Sequence, residues 1–261
     1  MNSMKKQLEA RLNMRELGGF ISADGRQVKE GVLFRSGELH GLTAAEAAYV
    51  ESLGLAAVCD LRTEEKSSSK PNPELKGVQL VTLPVIGGEF SLSEMPRLLQ
   101  QWKDEGGKGN PILEIYRRFV TDSQALAAYR GLMQVLLQAE GRPVLWNCTL
   151  GKDRTGFAAA VVLLALGVPE AAIAADYMRT GENRREANEA ILRQASAFLN
   201  DESHLELVRT VLAVREEYIQ AAFDEIRRVH GTAEAYLRDG IGLTEPQLKQ
   251  LRDRYLEPAA C

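Results

Sequence analysis

The 261 residues are 45% hydrophobic and 26% charged, with a formal net charge of −4. That balance suits a soluble chain able to bury a core, and it excludes the global basic field that nucleic acid or an anionic membrane would need. Three cysteines, Cys59, Cys148 and Cys261, lie far apart with no paired spacing, which argues against a disulfide framework and fits a reducing compartment.

The first eleven residues carry lysines with no apolar stretch behind them, so no signal peptide is expected. The expected location is cytoplasmic, or exported by a route the sequence does not display. Residues 20–34 read as a hairpin, with Phe20-Ile21 and Val32-Leu33-Phe34 flanking an Asp24-Gly25 turn. Thr43-Ala44-Ala45-Glu46 is a capping box, so a helix should run to about Leu53 and stop at Gly54. Leu55 to Leu61 reads as a buried strand, Lys66–Pro73 as a surface loop with three serines and two prolines, and Val78 to Val85 as another strand. The 86–110 stretch has paired glycines at both ends and one expected helix around Met95–Lys103. Helices are expected at Pro111–Thr121 and Ser123–Glu140, then a strand before Cys148.

Phe157 to Val168 is too short an apolar run to span a bilayer and reads as a buried helix. Beyond Gly167 everything looks helical, with a second capping box at Thr244-Glu245-Pro246-Gln247. Strands alternating with helices over the first two thirds predict an α/β fold: a central, mostly parallel sheet flanked by helices, with a helical C-terminal part. No linker-like composition separates residues 169–261 from what precedes them, so residues 1–261 are expected to form one domain.

The most informative segment is Asn147-Cys148-Thr149-Leu150-Gly151-Lys152-Asp153-Arg154-Thr155-Gly156. It places Cys148 and Arg154 with five residues between them, in a turn between an apolar strand and an alanine-rich helix. A strand that opens through a tight loop onto a helix aims backbone N–H groups at one point, and the helix dipole adds to the pull on an oxyanion. The same field favours a cysteine's thiolate, its nucleophilic form. Arg154 can grip two equatorial oxygens of a phosphoryl group. This is the equipment for phosphoryl transfer through a cysteinyl-phosphate. The competing nucleotide-binding loop, GxxxxGK[ST], fails because Trp146 occupies its first glycine position and Asp153 follows Gly151-Lys152. His40, His204 and His230 carry no thiol-protease signature, and no CxxC or HExxH cluster indicates a metal. No cofactor is implied.

Cys-Thr-Leu-Gly-Lys-Asp-Arg-Thr-Gly resembles the signature loop of the cysteine-dependent protein-tyrosine-phosphatase superfamily, most closely its bacterial tyrosine phosphatase B-like, dual-specificity branch. Asn13-Met14-Arg15-Glu16-Leu17-Gly18-Gly19 is similar to that branch's N-terminal motif. Phe34-Arg35-Ser36-Gly37 and Asp60-Leu61-Arg62 resemble the next two, and Tyr236-Leu237, Gly242-Leu243-Thr244 and Leu251-Arg252 its C-terminal end. The resemblance implies a phosphatase-like fold, phosphoprotein or phosphoinositide substrates, and phosphate, sulfate or vanadate as site ligands. Residues Thr149, Leu150, Gly151, Lys152, Asp153 and Arg154 would line the phosphate site.

For the general acid the resemblance points to Asp60, at the C-terminal end of its strand. The plainer role of Asp60 is pairing with Arg62. Asp153, inside the loop, is the rival acid, or else holds Arg35 or another basic group. Lys152 is expected to set a second positive charge beside the substrate phosphate, which the resemblance ties to phosphoinositides. Thr155 is expected to donate to the Cys148 sulfur or to cap the helix, and Arg15 and Arg35 to form structural ion pairs. Cys59 reads as core packing before it reads as a redox partner for Cys148. Residues 86–110 are a candidate lid.

The family usually has histidine where this chain has Asn147 and alanine where it has Leu150. Asn147 can donate a hydrogen bond but carries no charge, and Leu150 adds bulk to a loop that must wrap an anion. These departures motivate an alternative, a phosphate-binding module with weakened catalysis.

Overall fold

The computed structural model describes residues 2–85, 110–199 and 202–259. The elements are, in chain order, α1 (Asn2–Leu12), β1 (Arg15–Glu16), β2 (Arg26–Val28), β3 (Leu33–Ser36), α2 (Ala44–Ser52), β4 (Ala57–Asp60), α3 (Glu64–Ser69) and β5 (Gln79–Thr82). Then come α4 (Pro111–Thr121), α5 (Ser123–Ala139), β6 (Val144–Asn147), α6 (Asp153–Ala165), α7 (Glu170–Asn183), α8 (Arg185–Phe198) and α9 (Glu202–Leu212). The chain ends with α10 (Glu216–His230), α11 (Ala233–Ala235) running into a π-helical turn at Tyr236–Gly240, α12 (Glu245–Tyr255) and β7 (Leu256–Pro258).

The principal sheet has the order β1-β3-β6-β4-β5, parallel except for the short antiparallel edge strand β1. Because side chains alternate across a strand, the sheet feeds two cores. Leu33, Ala57, Cys59, Val144 and Trp146 face one side, with α5 and α6. Phe34, Val58 and Leu145 face the other, against Leu8, Leu12 and Val50 of α1 and α2. All four residues of β6 are buried, as a strand covered on both faces requires. Every residue of α6 is buried too, which explains its alanine-rich, all-round apolar sequence. Phe157 anchors it, packing against Phe119 and Tyr129 at ring-centroid distances of 5.7 and 5.2 Å. A fully buried side chain of this size contributes on the order of 2 kcal/mol. Helices after residue 169 join the same cluster through Ile173, Tyr177, Tyr218, Phe223, Leu237 and Leu251.

Both capping boxes form, at Thr43–Glu46 and Thr244–Gln247. The 20–34 hairpin takes a different partner. The chain does turn at Gly25 (φ +82°), and Ile21 bridges Gln27, but β2 pairs with β7 and leaves Leu33–Ser36 to the principal sheet. The apolar Leu33-Phe34 pair gains more from burial on both faces of a sheet than from a surface hairpin. Part of Lys66–Pro73 is helical rather than loop, because Glu64 and Glu65 supply acidic residues to the first turn of α3. β7 interrupts the helical tail. The expected helix around Met95–Lys103, most of the 86–110 lid segment and Cys261 lie outside the described residues. Among the described residues no helix is long and apolar enough to cross a membrane.

Candidate active site

β6 ends at Asn147 and α6 begins at Asp153, so residues 148–152 must reverse the chain in five positions. Gly151 makes this possible at φ +65°. A Cβ there would lie 2.5 Å from the Gly37 nitrogen and 2.6 Å from the Ser36 carbonyl carbon, closer than any side chain could tolerate. The loop carbonyls turn outward. Thr149 O accepts from Glu38 N at 3.2 Å, and Leu150 O accepts from Arg184 Nη1 at 3.3 Å. Gly151 O accepts from Asn13 Nδ2 at 2.7 Å and Arg35 Nη2 at 3.0 Å. With its carbonyls engaged by these donors, the loop runs into a helix N-terminus, the kind of setting that favours an oxyanion. Cys148 sits there, 3% exposed. Arg154, in the first turn of α6, donates to Leu61 O and to Thr149 Oγ1, each at 3.3 Å.

Beneath the loop lies a closed ionic clamp. Asp176 of α7 accepts from Arg15 Nε at 2.8 Å and from Arg35 Nη1 at 2.7 Å, all three side chains being buried. Burial pushes the Asp176 carboxyl upward, but Arg15 and Arg35 outweigh it and the net shift is downward. Two guanidiniums thus share one carboxylate. Desolvation, with repulsion from Arg35, lowers Arg15 to about 10. The residual positive charge lies directly under Gly151.

On the sheet side, Asp60 is bound by Arg62: Nη2 donates to Oδ2 at 2.6 Å and Nε to Oδ1 at 2.9 Å. Asn72 Nδ2 adds a third donor at 3.1 Å. Asn72 also accepts from Asn147 Nδ2 at 3.0 Å and from Arg62 Nη2 at 3.3 Å. Asn147 therefore stands in a neutral amide pair, itself tied to the Asp60–Arg62 pair. Asp60 thus makes the pair with Arg62 that was its plainer expected role.

On the helix side, Asp153 Oδ1 accepts from Tyr116 Oη at 2.8 Å and lies 3.4 Å from Lys152 Nζ. Its Oδ2 has no hydrogen-bond donor among the described residues, and its side chain keeps 8% exposure. Burial, then the Asp153 charge, holds the Tyr116 phenol well above its ordinary range, so it stays a donor. Asp153 thus holds another basic group, Lys152, and not Arg35, which belongs to Asp176.

Lys152 departs from expectation. Its side chain is 1% exposed, and its ammonium donates to Val211 O and, at 3.1 Å, to Ala213 O. The loop twist points it at the end of α9, where free carbonyls attract a cation. Desolvation lowers it despite Asp153. Thr155 also differs: its hydroxyl donates to Ser36 O at 3.4 Å, and the helix cap position is Lys152. Cys59 packs in the core with its thiol pushed up to about 12 by burial. No group of three metal-ligating side chains is found among the described residues.

A model of the tyrosine phosphatase family matches residues 6–257. The chain belongs to that family. A candidate tyrosine-protein phosphatase of Cupriavidus necator is 32% identical over 246 residues, covering 94% of this chain and 85% of that protein. The triple specificity protein phosphatase PtpB of Mycobacterium tuberculosis is 31% identical, covering 95% and 97%. The crystal structure of P. aeruginosa TpbA matches loosely, 19% identical with a TM-score of 0.32 over 73% of this chain and 94% of that one.

Membership accounts for the loop, but the loop's partners are less legible. Asn72, Tyr116, Asp176 and Arg184 reach it from distant segments and carry no local motif. The only sequence signal for Tyr116 is its place on the apolar face of α4, beside Ile112 and Phe119.

Proposed function

We propose that the chain hydrolyses phosphomonoesters of proteins, phosphotyrosine foremost, through a cysteinyl-phosphate on Cys148. The observation that carries this is the loop itself: its carbonyls held by Glu38, Arg184, Asn13 and Arg35, Cys148 at its start, and Arg154 in the first turn of the helix it opens. Cys148 Sγ attacks phosphorus in line, forming the S–P bond as the P–O bond to the leaving oxygen breaks. The amides of 149–154 and the Arg154 guanidinium hold the equatorial oxygens. Asp153 gives its proton to the leaving oxygen and then takes one from the water that attacks phosphorus, releasing inorganic phosphate and the Cys148 thiolate. Asp153 is preferred to Asp60 because an acid needs an oxygen free to carry a proton, and both Asp60 oxygens are engaged by Arg62. Asp60 instead orients the sheet-side wall.

The name of the M. tuberculosis relative supports a specificity broader than phosphotyrosine. The engagement of Lys152 with Val211 and Ala213 weakens the support that a free loop lysine would lend to phosphoinositide substrates. Cys148→Ser should lower turnover of an aryl phosphate to background while retaining phosphate binding by calorimetry. Full activity in that variant would refute the mechanism.

A further inference from the structure

Arg184 lies at the junction of α7 and α8, 5% exposed. Its Nη1 donates to Leu150 O at 3.3 Å, and its Nε is buried with no hydrogen-bond partner. Among the described residues it has no carboxylate at ion-pair distance. A buried guanidinium left without a counter-ion is costly, and the cost needs a source of compensation. Burial disfavours its charged form, whereas the negative charges of Cys148 and then Asp153 favour it. Arg184 is thus electrostatically coupled to the nucleophile while bound to the back of the same loop.

The other charges around the loop are already committed. Lys152 is offset by Asp153 and two carbonyls. Arg62 is bound by Asp60, and Arg35 by Asp176. Arg154 is the phosphate-gripping residue of the proposed mechanism. Tyr129, buried on α5 and coupled to Cys148, brings no positive charge. Asn147, immediately before the nucleophile, is neutral and paired with Asn72.

We propose that Arg184 is a positioning residue of the phosphatase reaction: a fixed cation, held on the Leu150 carbonyl, whose counter-ion is the anion in the loop, first the Cys148 thiolate and then the phosphoryl group. This rests on Cys148 being the nucleophile. It assigns to a residue outside the Cys-x5-Arg loop a share of the charge that the sheet side, with Asn147, does not provide.

Charge and hydrogen bonding can be separated. Arg184→Lys keeps the cation, Arg184→Gln keeps a donor for Leu150 O, and Arg184→Met keeps neither. Each is measured for the rate of Cys148 alkylation by iodoacetamide at pH 6, for inhibition by inorganic phosphate, and for kcat and KM on an aryl phosphate. A melting curve confirms folding. Wild type and Arg184→Lys should behave alike, while Gln and Met should both alkylate about tenfold more slowly and bind phosphate about tenfold more weakly, the size of one buried unit charge removed at some distance. The inference is overturned if Gln matches wild type, because a hydrogen bond to Leu150 would then suffice, or if Lys falls with Gln and Met. A Cys148→Ser control that retains full turnover would instead overturn the nucleophile, whatever Arg184 does.

Discussion

Two regions around the Cys148–Arg154 loop, one beneath it and one beside it, handle charge in opposite ways. Below, Asp176 pairs with Arg15 and Arg35 at 2.7–2.8 Å, and Arg35, with Asn13, fixes the Gly151 carbonyl. Beside the loop, among the described residues, Asp153 has one oxygen without a donor, and Arg184 has no carboxylate at ion-pair distance, whereas both clamp arginines have one. Buried charges paired with a counter-ion hold geometry, whereas a buried charge without one can stabilise an incoming opposite charge. The first kind lies under the loop, and the second lies where the proposed reaction would use it.

Breaking the clamp should have the largest effect. Asp176→Asn leaves two buried guanidiniums without a counter-ion, and removing one partner of such a set costs about 3–5 kcal/mol, or a fall in Tm of roughly 10 °C for a chain of this size. The sign of the pH dependence follows from the depressed carboxyl. Its folded-state value lies below the ordinary 3.8, so the clamp contributes fully at neutral pH and is lost only as pH falls below that range. The Tm gap between wild type and Asp176→Asn should therefore be constant near neutrality and close in acid. A gap that widened on acidification would contradict the assignment.

Removing the open carboxylate should act on rate rather than stability. Asp153→Asn is expected to lower kcat by about 10²-fold for alkyl phosphates, the usual scale for a lost general acid, and much less for activated aryl esters. Asp60→Asn should be milder, about tenfold, the size of one lost charge-assisted bond, and equal for both substrate classes because it acts through the wall. The reverse pattern, leaving-group dependence in Asp60→Asn and none in Asp153→Asn, would return the acid role to the strand.

How much of this was legible in the sequence depended on chain distance. The Cys148–Arg154 spacing, β6, the buried α6 and both capping boxes are local, set by residues within a few positions of one another. The partner of β2 was not, because β7 lies more than 200 residues away, and neither propensity nor alternation near Val28 points to Leu256. The loop could be read for Cys148, Gly151 and Arg154 but not for where each side chain turns. The φ of Gly151 and the twist after it direct Lys152 towards α9, and no spacing rule contains that rotation. Asn13 and Arg15 were singled out by their motif, yet the carboxylate that gives Arg15 its purpose lies on α7.

The contact between Gly37 and Gly151 has a consequence for remodelling. A β-carbon at Gly151 would lie 2.5 Å from the Gly37 nitrogen, and one at Gly37 would meet Leu12 O at 3.1 Å and Thr149 O at 3.2 Å. Neither position offers a stepwise path to another amino acid, so drift or engineering that enlarges the cleft must work through half-buried Thr149 and Leu150, leaving the glycine pair as an immovable hinge pin.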